Sequence, residues 1–445
     1  MQKSVRKLRL LPLLAGIYYM VAGGPQGLED ILGMAGYGRA ILILVLLPFV
    51  WSLPTSLMIG ELASSIPLEG GFYAWVRRAL GPFWGFQEAW LSLAASIFDM
   101  AIYPTLFVEY ISRIVPALGQ GHWPLLLKLA VIACATLWNL RGAYAVGEGS
   151  VKMMFLGLSP FVALIIFALW HAARHQAPAF GGKPATYTLS GAILVAMWNY
   201  MGWDNASTIA GEVEQPQRNY PRAMLTAAFM TMATYTIPIC VLWVAGLDPA
   251  GFTTGSWVDA GRFFGGPILA AAIAVAVSMD SLGNFTSLTM SYTRLPLAMA
   301  QDGLLPKPFA RLNRHRVPWV AILFCATLWA LALGLTFERL ISVDLVLWGS
   351  SLLLEFAALV ILRLREPHMI RPFKVPGGLV GAITLGLGPA VLIAFALWAA
   401  RDEQAYGISA ALFSVLIAAI GPLLYWVLAR KRRNPDAPVV TSFTK

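Results

Sequence analysis

Charged side chains are scarce in this 445-residue chain: Lys, Arg, Asp and Glu make up 12% of it, while 58% is hydrophobic. A soluble globular chain carries about 25% charged residues, so the scarcity excludes that class and leaves an integral membrane protein. Cysteine is also nearly absent. Cys134, Cys240 and Cys325 each lie in an apolar run and read as small buried hydrophobes, not as disulfide partners or metal ligands. The five histidines, His122, His171, His175, His315 and His368, fall in loops or at segment ends, so no metal site is expected. No glycine-rich loop carries Lys followed by Ser or Thr, which excludes ATP bound to this chain as an energy source. The apolar segments contain no nucleophile–base–acid set; an enzyme is not expected and no catalytic residue is assigned. The basic N-terminus runs into apolar sequence without a small-residue cleavage site, so a cleaved signal peptide is not expected either.

What is present is length of apolar sequence. A helix needs about 20 apolar residues to cross a bilayer. Twelve segments meet this, at 11–35, 40–66, 84–113, 123–140, 147–172 and 189–214, then 220–247, 266–294, 318–337, 341–364, 379–400 and 407–430. The net charge of +10 is read as basic loops on one side of the membrane and not as a nucleic-acid surface. With the N-terminus inside, that side collects Lys3, Arg6, Lys7, Arg9, Arg77, Arg78, Arg141, Arg218 and Arg222. It also collects the cluster from Arg294 to Arg316, the cluster from Arg363 to Lys374, and the tail from Arg430 to Arg433. The opposite loops hold fewer, such as Arg39, Arg113, Lys183, Arg262, Arg339 and Arg401. Both termini are therefore expected in the cytoplasm, with the chain spanning the cytoplasmic membrane.

The first segment is interrupted where it should be most regular. Gly23-Gly24-Pro25-Gln26-Gly27 weakens a helix and removes one backbone donor, and Glu29 and Asp30 follow at once. The sixth repeats the irregularity with Trp198, Asn199, Tyr200, Gly202, Trp203, Asp204 and Asn205. Backbone freed from a helix in lipid is tolerated only inside protein or beside a polar cavity. Two interrupted helices in matching positions predict two five-helix halves, the second inverted, with a solute site near the midplane between them. Residues 1–364 form the expected transport core, and 365–445 hold helices eleven and twelve with a C-terminal tail.

Carboxylates inside these segments each need a reason, since one at the bilayer centre costs about 2.5–3.5 kcal/mol on insertion scales. Asp99, with Tyr103 one turn on, and Asp204 are read as solute or proton sites. Glu29 is read either as a coupling site or, with Asp30, as a cap on free N–H groups at the start of the second half-helix. Asp280, near Ser281 and Asn284, is read either as part of an ion site or as a packing group, and Glu355 as structural. Lys152 either snorkels to the headgroups or stands in for a coupling cation. Trp198, Tyr200 and Trp203 are candidates for stacking on a bound amine.

Several stretches resemble the plant-type polyamine uptake branch of the amino acid–polyamine–organocation (APC) superfamily. They are Gly23–Asp30, Trp51-Ser52-Leu53-Pro54, Gly81-Pro82-Phe83-Trp84-Gly85-Phe86-Gln87-Glu88, Asp99–Pro104, Trp203–Glu214 and Leu354–Ala358. Ala298–Pro306 resembles the superfamily more widely. The resemblance implies an all-α membrane protein with the five-plus-five inverted-repeat fold and alternating access without ATP. It implies no cofactor, and proton coupling or solute exchange, with sodium ranked lower. A solute carboxylate would meet N–H groups around Gly23, Gly24 and Gly27, and an amine would meet carbonyls of the sixth-segment break with Asp204 or Asp99. Two departures bear on the solute. Thr55 stands where the branch has glutamate, and Thr286, Ser287 and Leu288 stand where it has acidic residues. An amino acid is therefore ranked ahead of a polyamine. A membrane solute sensor and a channel are the readings from other classes. Nothing in the sequence sets an oligomeric state.

Overall fold

The computed structural model describes residues 7–175, 188–334, 337–405 and 407–430. Lys3, Arg6, Lys183, Lys431, Arg432 and Arg433, all used in the charge asymmetry, lie outside them, as does the side chain of Arg430. Among the described residues the protein is all-α apart from one two-stranded hairpin, β1 (Gln404–Ala405) with β2 (Ile408–Ser409).

The first pass is built from α1 (Leu10–Val21) and the start of α2 (Leu28–Val50), with non-helical chain between. Gly23, Gly24 and Gly27 there have φ of 62°, 120° and 78°, a region that only glycine enters cheaply. A further positive φ, 71° at Gly36, turns the chain back, so that the rest of α2 and α3 (Ser52–Ser65) form the second pass. A short amphipathic helix, α4 (Phe72–Leu80), leads into α5 (Pro82–Ser112). α6 (Trp123–Asn139) and α7 (Ala143–His175) complete the first half.

The second half begins with the other interruption. α8 (Leu189–Asn199) ends at Tyr200, Gly202 turns through φ 87°, and a 3₁₀ segment, Trp203–Glu212, finishes the pass. α9 (Pro216–Val244) follows, then α10 (Ser256–Tyr292), which kinks at Gly266 ahead of Pro267. The short α11 (Arg294–Gln301) precedes α12 (Trp319–Leu331) and α13 (Phe337–Arg365). α14 (Gly378–Ala399) and α15 (Ala410–Arg430) close the chain. Among the described residues, eight helices are long and apolar enough to cross a membrane and three more are shorter apolar helices. With α8 and its 3₁₀ segment taken as one pass, these make the expected twelve.

The core that positions the site is formed where α5 meets α10 and α13, with both interrupted passes against them. α14 and α15 pack outside on α13, α3 and α5 and turn Val380, Val391, Leu423 and Trp426 outward. Exposed apolar rows of this kind suit lipid, not water.

The face that collects the basic residues is sealed. Leu8 forms a bridge with Val213, through Leu8 N–H to the Glu212 carbonyl (2.9 Å) and Glu214 N–H to the Leu8 carbonyl (2.8 Å). Arg294 pairs with Glu212 at 2.7 Å, Arg77 and the Tyr73 hydroxyl engage Asp302, and Gly70 N–H donates to the Thr208 carbonyl (3.1 Å). Buried Glu61 of α3 holds Arg363 of α13 and Arg371 of the following loop. At the opposite face a cavity of about 320 Å³ opens between α2, α8 and α13, lined by Met34, Leu194, Val195 and Ser342, with Glu403 at its rim.

Candidate solute site

Three buried carboxylates converge beneath that cavity. Asp99 comes from the middle of α5, Asp204 from the start of the 3₁₀ segment, and Asp344 from the second turn of α13. Asp344 lies within electrostatic reach of both others. The Tyr103 hydroxyl and the Trp198 Nε1–H donate to Asp99 Oδ1 at 3.0 and 3.4 Å, and the Tyr292 hydroxyl donates to Oδ2 at 3.1 Å. The Trp348 Nε1–H donates to both oxygens of Asp204, at 3.1 and 3.2 Å. Asp344 has no hydrogen-bond partner on either oxygen among the described residues. Trp198, Tyr103, Tyr292 and Trp348 thus wall the group, and every donor they supply is neutral. No Lys or Arg pairs with any of the three carboxylates among the described residues.

That imbalance is chemically specific. An uncompensated buried carboxylate is costly, and three together are costlier still. Such a group is relieved by protons or by positive charge brought in from outside. Rings of Trp and Tyr beside it add attraction for an ammonium.

Of the residues singled out from sequence, Asp99, Tyr103, Trp198 and Asp204 come together here. Asn199, Tyr200 and Trp203 spend their polar atoms on backbone. Asn199 Nδ2 donates to the Val195 carbonyl, the Tyr200 hydroxyl to the Leu44 carbonyl, and Trp203 Nε1 to the Tyr200 carbonyl (2.7 Å). The Asn199 carbonyl accepts from the Tyr235 hydroxyl. The carbonyls expected to meet an amine are therefore largely occupied in holding the break in shape.

The first break is committed in the same way. Gly23 N–H donates to the Tyr18 carbonyl and Gly27 N–H to the Tyr110 hydroxyl, while Gly24 sits against Asp280. A solute carboxylate would find two of its three expected donors used and an acidic side chain beside the third. Glu29 does cap a helix, but a different one: its Oε1 accepts from the N–H groups of Gly255 and Trp257 at the start of α10 and from the Tyr110 hydroxyl (2.6 Å). Asp30 accepts from the N–H and hydroxyl of Thr254 beside it.

Asp280 forms a second polar knot, apart from the first. Its Oδ1 accepts from the Tyr19 hydroxyl at 2.6 Å, Ser281 donates to Gln26 Oε1 (2.8 Å), and Asn284 Nδ2 donates to the Ala22 carbonyl. Lys152 stands exposed on α7, outside this knot. The fit is close: a Cβ on Gly23 would stand 1.6 Å from Asn284 Oδ1. Gly23→Ala combines that clash with a left-handed backbone, and a loss of about 1–3 kcal/mol of stability is expected. A melting temperature equal to wild type in detergent would show that the break relaxes around the extra atom.

Sequence reasoning misses Asp344, together with Tyr292 and Trp348 that wall the group. Asp344 falls three residues into the tenth apolar segment, where a carboxylate reads as a boundary. The available signal was its spacing, one turn before Trp348 and three before Glu355, on one helical face.

Residues 12–427 match the sequence profile of a family described as Amino acid permease. Polyamine transporter RMV1 of Arabidopsis thaliana is 33% identical over 88% of this chain and 80% of its own length. Polyamine transporter PUT1 of Oryza sativa subsp. japonica is 32% identical over 99% of this chain and 83% of its own. Serine/threonine exchanger SteT of Bacillus subtilis (strain 168) is 26% identical over 78% and 80%. The crystal structure of MhsT in complex with L-phenylalanine superposes with a TM-score of 0.53 at 15% identity, covering 96% of this chain and 99% of that one, a likeness of fold.

Proposed function

Since this chain belongs to the amino acid permease family, in the plant-type polyamine-transporter branch of the APC superfamily, and is a transporter and not an enzyme, we propose that its solute is a linear aliphatic polyamine. The observation that carries the choice is the group Asp99, Asp204 and Asp344, three buried carboxylates with no Lys or Arg paired to them among the described residues. A zwitterionic amino acid brings one positive charge and needs donors for its carboxylate. A polyamine brings two or more positive charges and no carboxylate. The order reached from sequence, amino acid first, is therefore reversed: Asp344 supplies the negative charge that Thr55 and Thr286–Leu288 withhold.

In this reading the solute enters through the cavity rimmed by Glu403 and rests with its ammonium groups among the three carboxylates, against Trp198 and Tyr103. The sealed basic face is the cytoplasmic one, as the concentration of Lys and Arg there favours, and the membrane is the cytoplasmic membrane. Alternating access then consists of opening the seal at Glu212, Asp302 and Glu61 as the cavity closes. Residues 1–364 make the moving core, with α14 and α15 as its outer support.

The test is thermal stabilisation of the purified protein, because a ligand that binds only the folded state raises its melting temperature. Spermidine is expected to raise it in a concentration-dependent way and serine or phenylalanine to leave it unchanged. Asp344→Asn is expected to reduce the spermidine shift. Stabilisation by an amino acid and not by spermidine would overturn the choice and favour the chemistry named for the Bacillus relative.

A further inference from the structure

The faces that α5 and α13 turn toward each other carry acidic residues beyond the solute site. On α13, Asp344, Trp348, Ser351 and Glu355 recur at the spacing of a single helical face, and on α5 Glu88, Ser92 and Asp99 do the same. Eleven residues separate the two carboxylates on each helix, about 16 Å of rise. The helices run in opposite directions, so Asp99 and Asp344 mark one level and Glu88 and Glu355 another, nearer the basic face. Between the levels, Ser92 Oγ lies 3.2 Å from Ser351 Oγ and 2.9 Å from Glu88 Oε1.

Glu88 and Glu355 are both fully buried. Glu88 Oε2 and both oxygens of Glu355 have no hydrogen-bond partner among the described residues. The two carboxylates interact with each other and with Asp204, so the nearest charge is again negative. The surrounding cations are engaged elsewhere. Arg363, two turns along α13, is held by Glu61 together with Arg371. On α4, Arg77 pairs with Asp302 and Arg78 with Glu366, while Arg365 donates to the Ala79 carbonyl. From the other elements packed here, α10 brings Tyr292, bonded to Asp99, and Asp280, bonded to Tyr19, and α11 brings Arg294, paired with Glu212. α12 brings Cys325, α6 Lys128, next to Glu109, and α15 Tyr425, packed on Phe83 and Phe86; α8 and α14 have no titratable side chain.

Two adjacent buried negative charges without a cation repel each other and lose their solvation. One proton held between them removes the repulsion and leaves one buried charge in place of two. Ser92, bonded to Glu88 Oε1 and close to Ser351, which donates to the Trp348 carbonyl, supplies hydroxyls of the kind along which a proton moves. We propose that Glu88 and Glu355 form the proton-carrying site that couples solute transport to the pH gradient. One proton is taken up from the cavity side through Ser92 and Ser351 onto a carboxylate oxygen of the pair, and is released to the basic face when the seal there opens. No bond to the solute is made or broken. The inference rests on the reading of the chain as a transporter of an amine.

Proteoliposomes with an imposed pH gradient separate the two. Wild-type protein is expected to accumulate labelled spermidine above equilibrium and to carry protons, read by a pH-sensitive dye inside the vesicles. Glu355→Gln, the neutral isostere, is expected to lose gradient-driven accumulation and the dye signal while still exchanging labelled for unlabelled spermidine. Glu88→Gln, expected to behave alike, decides the matter if Glu355→Gln does not fold. Gradient-driven accumulation with proton movement at the wild-type level in the folded variant would overturn the proposal. So would loss of exchange at an unchanged melting temperature, which would place the pair in the solute's path. Wild-type protein that exchanges an amino acid but no spermidine would sink the solute reading alone, and the pair would then be judged by the same variants with that amino acid.

Discussion

Asparagine in place of Asp204 is expected to abolish solute binding while leaving the fold intact. The side chain keeps its size and can still accept from Trp348 Nε1, which reaches both oxygens in the native site. What disappears is the charge at the mouth of the interrupted pass, between Asp99 and Asp344 on one side and Glu88 and Glu355 on the other. Truncating one partner of a buried charge pair costs about 2–5 kcal/mol, which is roughly 30-fold to several thousand-fold in affinity. Titration of spermidine by calorimetry, on protein with wild-type melting behaviour, measures this directly. An affinity within about threefold of wild type, under 1 kcal/mol, would remove Asp204 from the site.

The largest effect on stability is expected at Glu61. Its carboxylate accepts from Arg363 Nε at 2.9 Å and from Arg363 Nη2, lies 3.1 Å from Arg371 Nε, and accepts from Val375 N–H at 2.7 Å. All three side chains are almost completely buried. One carboxylate thus joins α3, the end of α13 and the loop leading to α14. Glu61→Ala leaves two buried guanidinium groups without a counter-charge, and losses of this type run to about 3–5 kcal/mol. Glu61→Gln retains an acceptor for one of them and is expected to cost less. Thermal melting of both variants in detergent distinguishes the cases. A Glu61→Ala protein that melts with wild type would mean that water reaches the two arginines and the seal is looser than its geometry implies.

The two interruptions show how far sequence reasoning reaches. Gly23-Gly24-Pro25-Gln26-Gly27 and the stretch around Gly202 are poor helix-formers within apolar segments, and both prove non-helical. Local propensity was sufficient there because the deficit is written into consecutive residues. It did not say what would occupy the freed backbone. Tyr18, Tyr110, Tyr235 and Trp203, reaching from the same pass or from distant ones, satisfy groups that had been assigned to a solute. Glu29 illustrates the same limit: a cap was foreseen, but the helix it caps begins 227 residues further along the chain, at Ser256.

The apolar run lengths, the basic clusters and the glycine-rich breaks determined by themselves that this is a twelve-pass membrane protein with two interrupted helices. They did so because crossing a bilayer imposes length, composition and backbone pairing residue by residue. Which carboxylates come together was decided only in three dimensions. Asp99, Asp204 and Asp344 are separated by more than a hundred residues at each step, and Glu88 meets Glu355 only because α5 and α13 lie antiparallel in register. Charge repulsion and desolvation depend on distance in space, and the packing of those helices sets that distance.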